Sequence, residues 1–198
     1  MNKLGITAMI IGAVMILGAL ALVGYNAWEE ERASSAIDDL LPKVEQMIED
    51  RPDTQASMPS AGNELATVTV DGNTYIGVLT LPSIGIELPV MSTWSYPLLR
   101  ISPCRYSGSL SGEALVIAGH NYARHFGKLV NMSVGDNVYF TDVNGLVYEF
   151  VVIESEPLQK TQIEEMISDD WDLTLFTCDY KARLRIAVRC KLIGSPMY

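Results

Sequence analysis

From Leu65 onward the chain is a succession of short β-forming runs separated by turn signals, and nothing else in it constrains the fold as strongly. The runs fall at residues 65–70, 75–81, 86–91, 114–118, 137–141, 146–153, 173–177 and 184–193. Asp71-Gly72-Asn73 reads as a hairpin turn, and Val134-Gly135-Asp136 and Val143-Asn144-Gly145 sit between later runs. About eight short strands punctuated in this way predict an all-β domain, a closed or nearly closed β-barrel. Short helical pieces are expected over 125–132 and 161–167.

Ahead of the β runs, residues 6–24 form an apolar stretch of about 19 residues without a charge. As a helix it spans a bilayer core of ~30 Å. Lys3 and the α-amino group precede it, and Glu29-Glu30-Glu31-Arg32 follow, which predicts an N-terminus inside and the remainder outside. A cleaved signal peptide is the rival reading, since Ala19-Leu20-Ala21 resembles a small-residue cleavage site. Next, Ile37, Leu40, Leu41, Val44 and Ile48 recur at helical spacing, so a helical stalk is expected, interrupted or kinked at Pro42. Residues 51–62 have linker composition, and the domain boundary is placed there. The expected organisation is a cytoplasmic N-terminus (1–5), a transmembrane anchor (6–24), an extracellular stalk and linker (25–63) and a catalytic β-barrel (64–198).

Charge excludes one class of partner. With 14 basic against 24 acidic residues, the net charge is −10. Such a chain repels phosphate backbones, and no basic stripe interleaved with aromatics offsets this, so nucleic acid is not an expected partner. The three cysteines, Cys104, Cys178 and Cys190, form no C-x-x-C pair and no zinc-type cluster with histidine. Neither a metal nor another cofactor is expected. Asp136, Asp142 and Asp179 do not make a calcium-loop pattern.

Candidate chemistry gathers at three places. Cys178 ends the run Thr174-Leu175-Phe176-Thr177, just before a turn. A free cysteine at a strand end is often only a small buried hydrophobe. Here Thr177 and Asp179 flank it with polar groups, and a nearby cation favours the thiolate form of a cysteine in general. His120 follows Gly119 at the end of an apolar run; it is a nucleophile's partner or a plain turn residue. His125, between Arg124 and Phe126, reads as structural. Arg183, Arg185 and Arg189 share one face of the final run by strand alternation. One of them could reach Cys178 across a hairpin; the row could equally be a surface feature that discourages edge pairing. A thiol, an imidazole and a guanidinium are the parts of a cysteine acyl-transfer site. Trp94, Tyr96 and Trp171 are read as packing residues that a substrate groove could also use, and Cys104 and Cys190 as buried thiols with a bridge between them left open.

Together these pieces resemble the sortases, the cysteine transpeptidases of Gram-positive cell surfaces. Thr174-Leu175-Phe176-Thr177-Cys178 is similar to the family's TLxTC signature, Gly119-His120 to its strand-end histidine, and Arg185-Ile186-Ala187-Val188 to its arginine before a β run. The resemblance implies an eight-stranded sortase-type barrel with Cys178, His120 and Arg185 as catalytic residues and Thr177 holding the substrate backbone. Arg183 and Arg189 stay in reserve. It also implies a single-pass membrane protein with its catalytic domain extracellular. Its substrate would be an LPxTG-like sorting signal of surface proteins or pilins, cut between Thr and Gly. The thioacyl group would pass to an amine of a cell-wall precursor or a pilin lysine.

The pattern departs from particular sortase classes. No second membrane segment follows the β runs, no Asp-Pro-aromatic lid precedes them, and residues 154–171 are too few for the long helix of class B. The Cys178–Arg185 connection is short, so the loop that shapes the groove elsewhere is trimmed. Two other readings stand beside this one: an extracellular cysteine hydrolase using the same dyad without an acceptor amine, and a non-catalytic, membrane-tethered β-domain.

Overall fold

The computed structural model describes residues 3–50, 65–110, 112, 114–179 and 183–194. The expected linker at 51–62 lies outside the described residues. The chain forms two compact units, residues 1–32 and 33–198. The first is the N-terminal part of helix α1 (Lys3–Glu49). Its apolar side chains, among them Met9, Met15, Leu20 and Val23, are exposed, and it is long and apolar enough to cross a membrane.

The second unit contains nine strands: β1 (Val68–Val70), β2 (Asn73–Leu81), β3 (Ile86–Met91), β4 (Cys104–Ser107), β5 (Leu115–Ala118), β6 (Asn137–Asp142), β7 (Val147–Gln159), β8 (Leu173–Cys178) and β9 (Leu184–Leu192). Eight of them close into a ring in the order β2-β3-β4-β5-β8-β9-β7-β6, with β6 returning to β2. This is the expected closed eight-stranded barrel. The β3–β4 and β5–β8 pairings are parallel and the others antiparallel. Strand β1 is an addition outside the ring. It folds back on the start of β2 through Asp71 (φ 50°) and Gly72 (φ 80°), the two left-handed positions of a type I′ hairpin turn. Farther along β2, Gly77 is where β6 takes over. A Cβ on Gly77 would lie 2.1 Å from the Thr141 carbonyl oxygen, so only glycine permits this closure.

Strand alternation builds the core. Leu173, Leu175, Val188 and Cys190 point into the barrel with Ile117, Phe140 and Phe150. The helical spacing at 37–44 is also used there. Ile37 joins this cluster, while Leu40 and Val44 pack on Val68, Val70 and Tyr75. Arg124 and Asp38, and Lys43 and Asp71 (2.6 Å), pair at the margin. These contacts explain why Pro42, expected to interrupt or kink the stalk, lies inside a helix that continues to Glu49. The burial of apolar side chains on both sides of the proline offsets the one backbone hydrogen bond it removes.

Two local expectations need correction. Strand β4 has no counterpart among the runs read from sequence, because Cys104-Arg105-Tyr106-Ser107 has no β-branched residue; its neighbours β3 and β5 impose the extended form. Strand β7 continues to Gln159, six residues beyond the expected end at 153, through its long ladder with β9. Cys104 and Cys190 are unbridged and fully buried.

Candidate active site

Three adjacent strands in the order β5, β8, β9 hold the three candidate groups. In the antiparallel pair, Cys178 of β8 sits directly opposite Arg185 of β9. In the parallel pair, Ala118 of β5 is opposite Phe176 of β8, and Gly119 N–H still donates to the Phe176 carbonyl (3.0 Å). His120 follows two residues after Ala118, just beyond the end of β5, and lines the same groove as Cys178 and Arg185. Arg185 Nη1 donates to Cys178 Sγ at 3.1 Å. Cys178 and His120 are both half-buried and line one groove with Arg185.

The strand-to-strand turn beyond Cys178 is held by Asp179. Its carboxylate accepts from the backbone N–H groups of Arg183 (2.6 Å) and Leu184 (3.1 Å), while its own N–H donates to the Leu184 carbonyl. Asp142 performs the same task at another turn, accepting from Asn144 and Leu146. Among the described residues, no group of three or more His, Cys, Asp or Glu could hold a metal ion.

The three arginines read as one row have separate tasks. Arg185 reaches the thiol. Arg183 is seen through its backbone bond to Asp179. Arg189 is only 1% exposed. Its Nε donates to Glu156 Oε1 (2.9 Å), Nη1 to the Met166 carbonyl and to Thr174 Oγ1 (both 3.1 Å), and Nη2 to the Glu165 carbonyl (2.7 Å). It fastens helix α3 (Ile163–Met166) to the sheet, and α3 is one wall of the groove.

Thr177 alternates away from Cys178. Its side chain is buried, and its hydroxyl has no hydrogen-bond partner among the described residues. Burial pushes the thiols of both Cys104 and Cys190 up to about 12, so neither is a nucleophile at neutral pH.

The opposite wall is aromatic. Trp94 meets Tyr96 and Tyr106 edge-on (5.1 and 5.8 Å), and Tyr106 meets Phe176 at 5.3 Å. Of the aromatics that a groove could use, Trp94 and Tyr96 line it, and Tyr96 is 70% exposed. Phe176 was legible in principle, since it lies two residues before Cys178 on the same strand face. Trp171 lies elsewhere, beside Asp169 and Asp172.

Gly119 sets the position of His120. A Cβ there would lie 2.5 Å from two ring carbons of the buried Phe126, whose own N–H donates to the His120 carbonyl (2.9 Å). Gly119→Ala is expected to cost about 1–3 kcal/mol of stability, as overpacking does. By displacing His120 it is also expected to lower turnover by roughly 10²-fold. Thermal denaturation and peptide turnover measured on the same preparation check both effects.

A partly accessible thiol in a groove that an imidazole and a guanidinium also line can carry acyl transfer. A sortase domain model matches residues 79–193, more than half of the chain, and the protein belongs to the sortase family of cysteine transpeptidases. It is 24% identical over 198 residues to a sortase A of Bacillus anthracis, covering 90% of this chain and 89% of that one. It is similar to the sortase C1 structure from Streptococcus suis, with 28% identity, a TM-score of 0.55 and coverage of 61% and 74% of the two chains. The Streptococcus pneumoniae sortase C structure, 21% identical, superposes with a TM-score of 0.64 over 81% of this chain and 99% of that one, and so supports the fold.

Proposed function

We propose that the protein anchors itself by residues 6–24 with its barrel outside the cell, and there cuts an LPxTG-like sorting signal between Thr and Gly. The thioacyl group then moves to an amine. The observation that carries this reading is Arg185 Nη1 at 3.1 Å from Cys178 Sγ, in a groove that His120 also lines.

In the first step Cys178 thiolate attacks the threonine carbonyl, forming a C–S bond and an oxyanion that the Arg185 fork stabilises. Collapse breaks the C–N bond to glycine, and the His120 imidazolium gives its proton to the leaving amine. In the second step an incoming amine attacks the thioester, His120 takes its proton, and the C–S bond breaks as the new amide forms. Thr177, whose side chain is buried but which still lines the groove next to the nucleophile, holds the substrate backbone. The acceptor is an amine of a cell-wall precursor or a pilin lysine.

Intact-mass analysis after incubation with a library of five-residue motifs tests this. The expected result is an adduct on Cys178 equal to the peptide minus its glycine-containing leaving fragment. Adding glycine oligomers or a lysine side-chain amine should discharge it into an amide and distinguish the two acceptors. Discharge only to the free acid, whatever amine is supplied, would favour the hydrolase reading.

A further inference from the structure

Loop 119–127 carries more than the histidine assigned to acid–base work. The His120 ring lies against the Tyr122 ring, with centroids 4.7 Å apart and planes within 23° of parallel. The far partner of Tyr122 is His125, at 5.5 Å and 58°. The loop backbone is wound tightly enough to fix this stack. His125 N–H and Gly127 N–H both donate to the Tyr122 carbonyl (3.0 and 2.9 Å), and a Cβ on Gly127 would fall 2.6–2.7 Å from the carbonyl oxygens of Asn121 and Tyr122. Two residues that look like ordinary loop content, a tyrosine and a glycine, thus hold one imidazole in a fixed orientation.

Accepting the acid–base role of His120 given above, we infer that Tyr122 is a positioning residue whose ring face both orients that imidazole and favours its protonated form. An aromatic face is electron-rich, and a cation lying on it is stabilised. Other groups press in both directions. Arg185 and Lys160 line the same groove and disfavour a second positive charge, whereas Cys178 thiolate favours it. From its own loop, Arg124 is engaged with Asp38. His125 is fully buried, and burial, with His120 and Arg124 adding to it, pulls its imidazole down to about 4. Both imidazoles thus meet the Tyr122 ring, and of the two only His120 also lines the groove.

The chain has two histidines, so their imidazole signals are separable by NMR in the full-length protein in detergent micelles. A Cys178→Ala background removes coupling to the thiol, and loss of one signal in His120→Gln assigns it. The proton-binding constant of His120 is expected to fall roughly two- to five-fold in Tyr122→Leu. It should be unchanged in Tyr122→Phe and should decline stepwise when that phenylalanine ring carries increasing fluorine, which keeps the shape and empties the face. The fluorinated series decides the matter even where the leucine variant does not fold. An unchanged constant across the fluorinated series would overturn the proposal, as would a fall in Tyr122→Phe equal to that in Tyr122→Leu. The titration needs no substrate, so its outcome is independent of whether the transpeptidation reading holds.

Discussion

Cys178→Ala is expected to reduce amide exchange by something on the order of 10⁶-fold, the scale seen when a covalent nucleophile is deleted. Fold stability should change by less than about 1 kcal/mol, because Cys178 is only half-buried and its side-chain hydrogen bond is to the likewise half-buried Arg185. Thiol alkylation of the native protein near pH 7.5 supplies the complementary measurement. One equivalent should add, at Cys178, since Cys104 and Cys190 are fully buried with their thiols held up to about 12. A native protein that resists alkylation, or an alanine variant that retains turnover, would remove the enzymatic assignment of this residue.

Arg185 and Arg189, four positions apart on one strand face, should fail in opposite ways. Arg185→Ala leaves the fold intact and lowers kcat by roughly 10²–10³-fold, the usual loss when one oxyanion donor is removed. Arg185→Lys restores little, because a single ammonium does not reproduce the guanidinium fork. Arg189→Ala instead strands Glu156, Thr174 and two carbonyls of the α3 region without their common donor. Loss of one partner of a buried ionic network costs about 3–5 kcal/mol. For a domain of this size that is on the order of 10 °C in melting temperature. Calorimetry beside steady-state kinetics separates the two. A stable Arg189→Ala protein with abolished chemistry would exchange their assignments.

The sequence made some of this legible and not the rest, for a physical reason. Period-two patterning identified most strands, and the same periodicity placed Arg185 and Arg189 on one face. The Asp71–Gly72 turn is local chemistry and was equally readable. What neighbours in sequence cannot encode is which strand lies beside which. The β5–β8 register, which sets the end of β5 before His120 beside the end of β8 before Cys178, joins residues almost sixty positions apart. Strand β4 was invisible because its extended form comes from its neighbours. The aromatic wall escaped for the same cause: Tyr106 rides on that strand, and its meeting with Trp94 and Phe176 is tertiary. The helix was not interrupted at Pro42 because a local backbone penalty was outweighed by packing that only the barrel provides.

The parallel pairing of β5 with β8 has a consequence for how the protein can vary. Both strands leave the sheet at the same end, and the ladder between them holds their spacing, while β6 and β7 of the intervening chain close the barrel behind it. Lengthening or shortening the excursions between residues 132 and 172 leaves that interval untouched as long as the ladder survives. Recognition surfaces can thus be remodelled by insertion and deletion in the connecting loops while the ends of β5 and β8 keep their separation, a division of labour that lets one part of the surface drift without moving another.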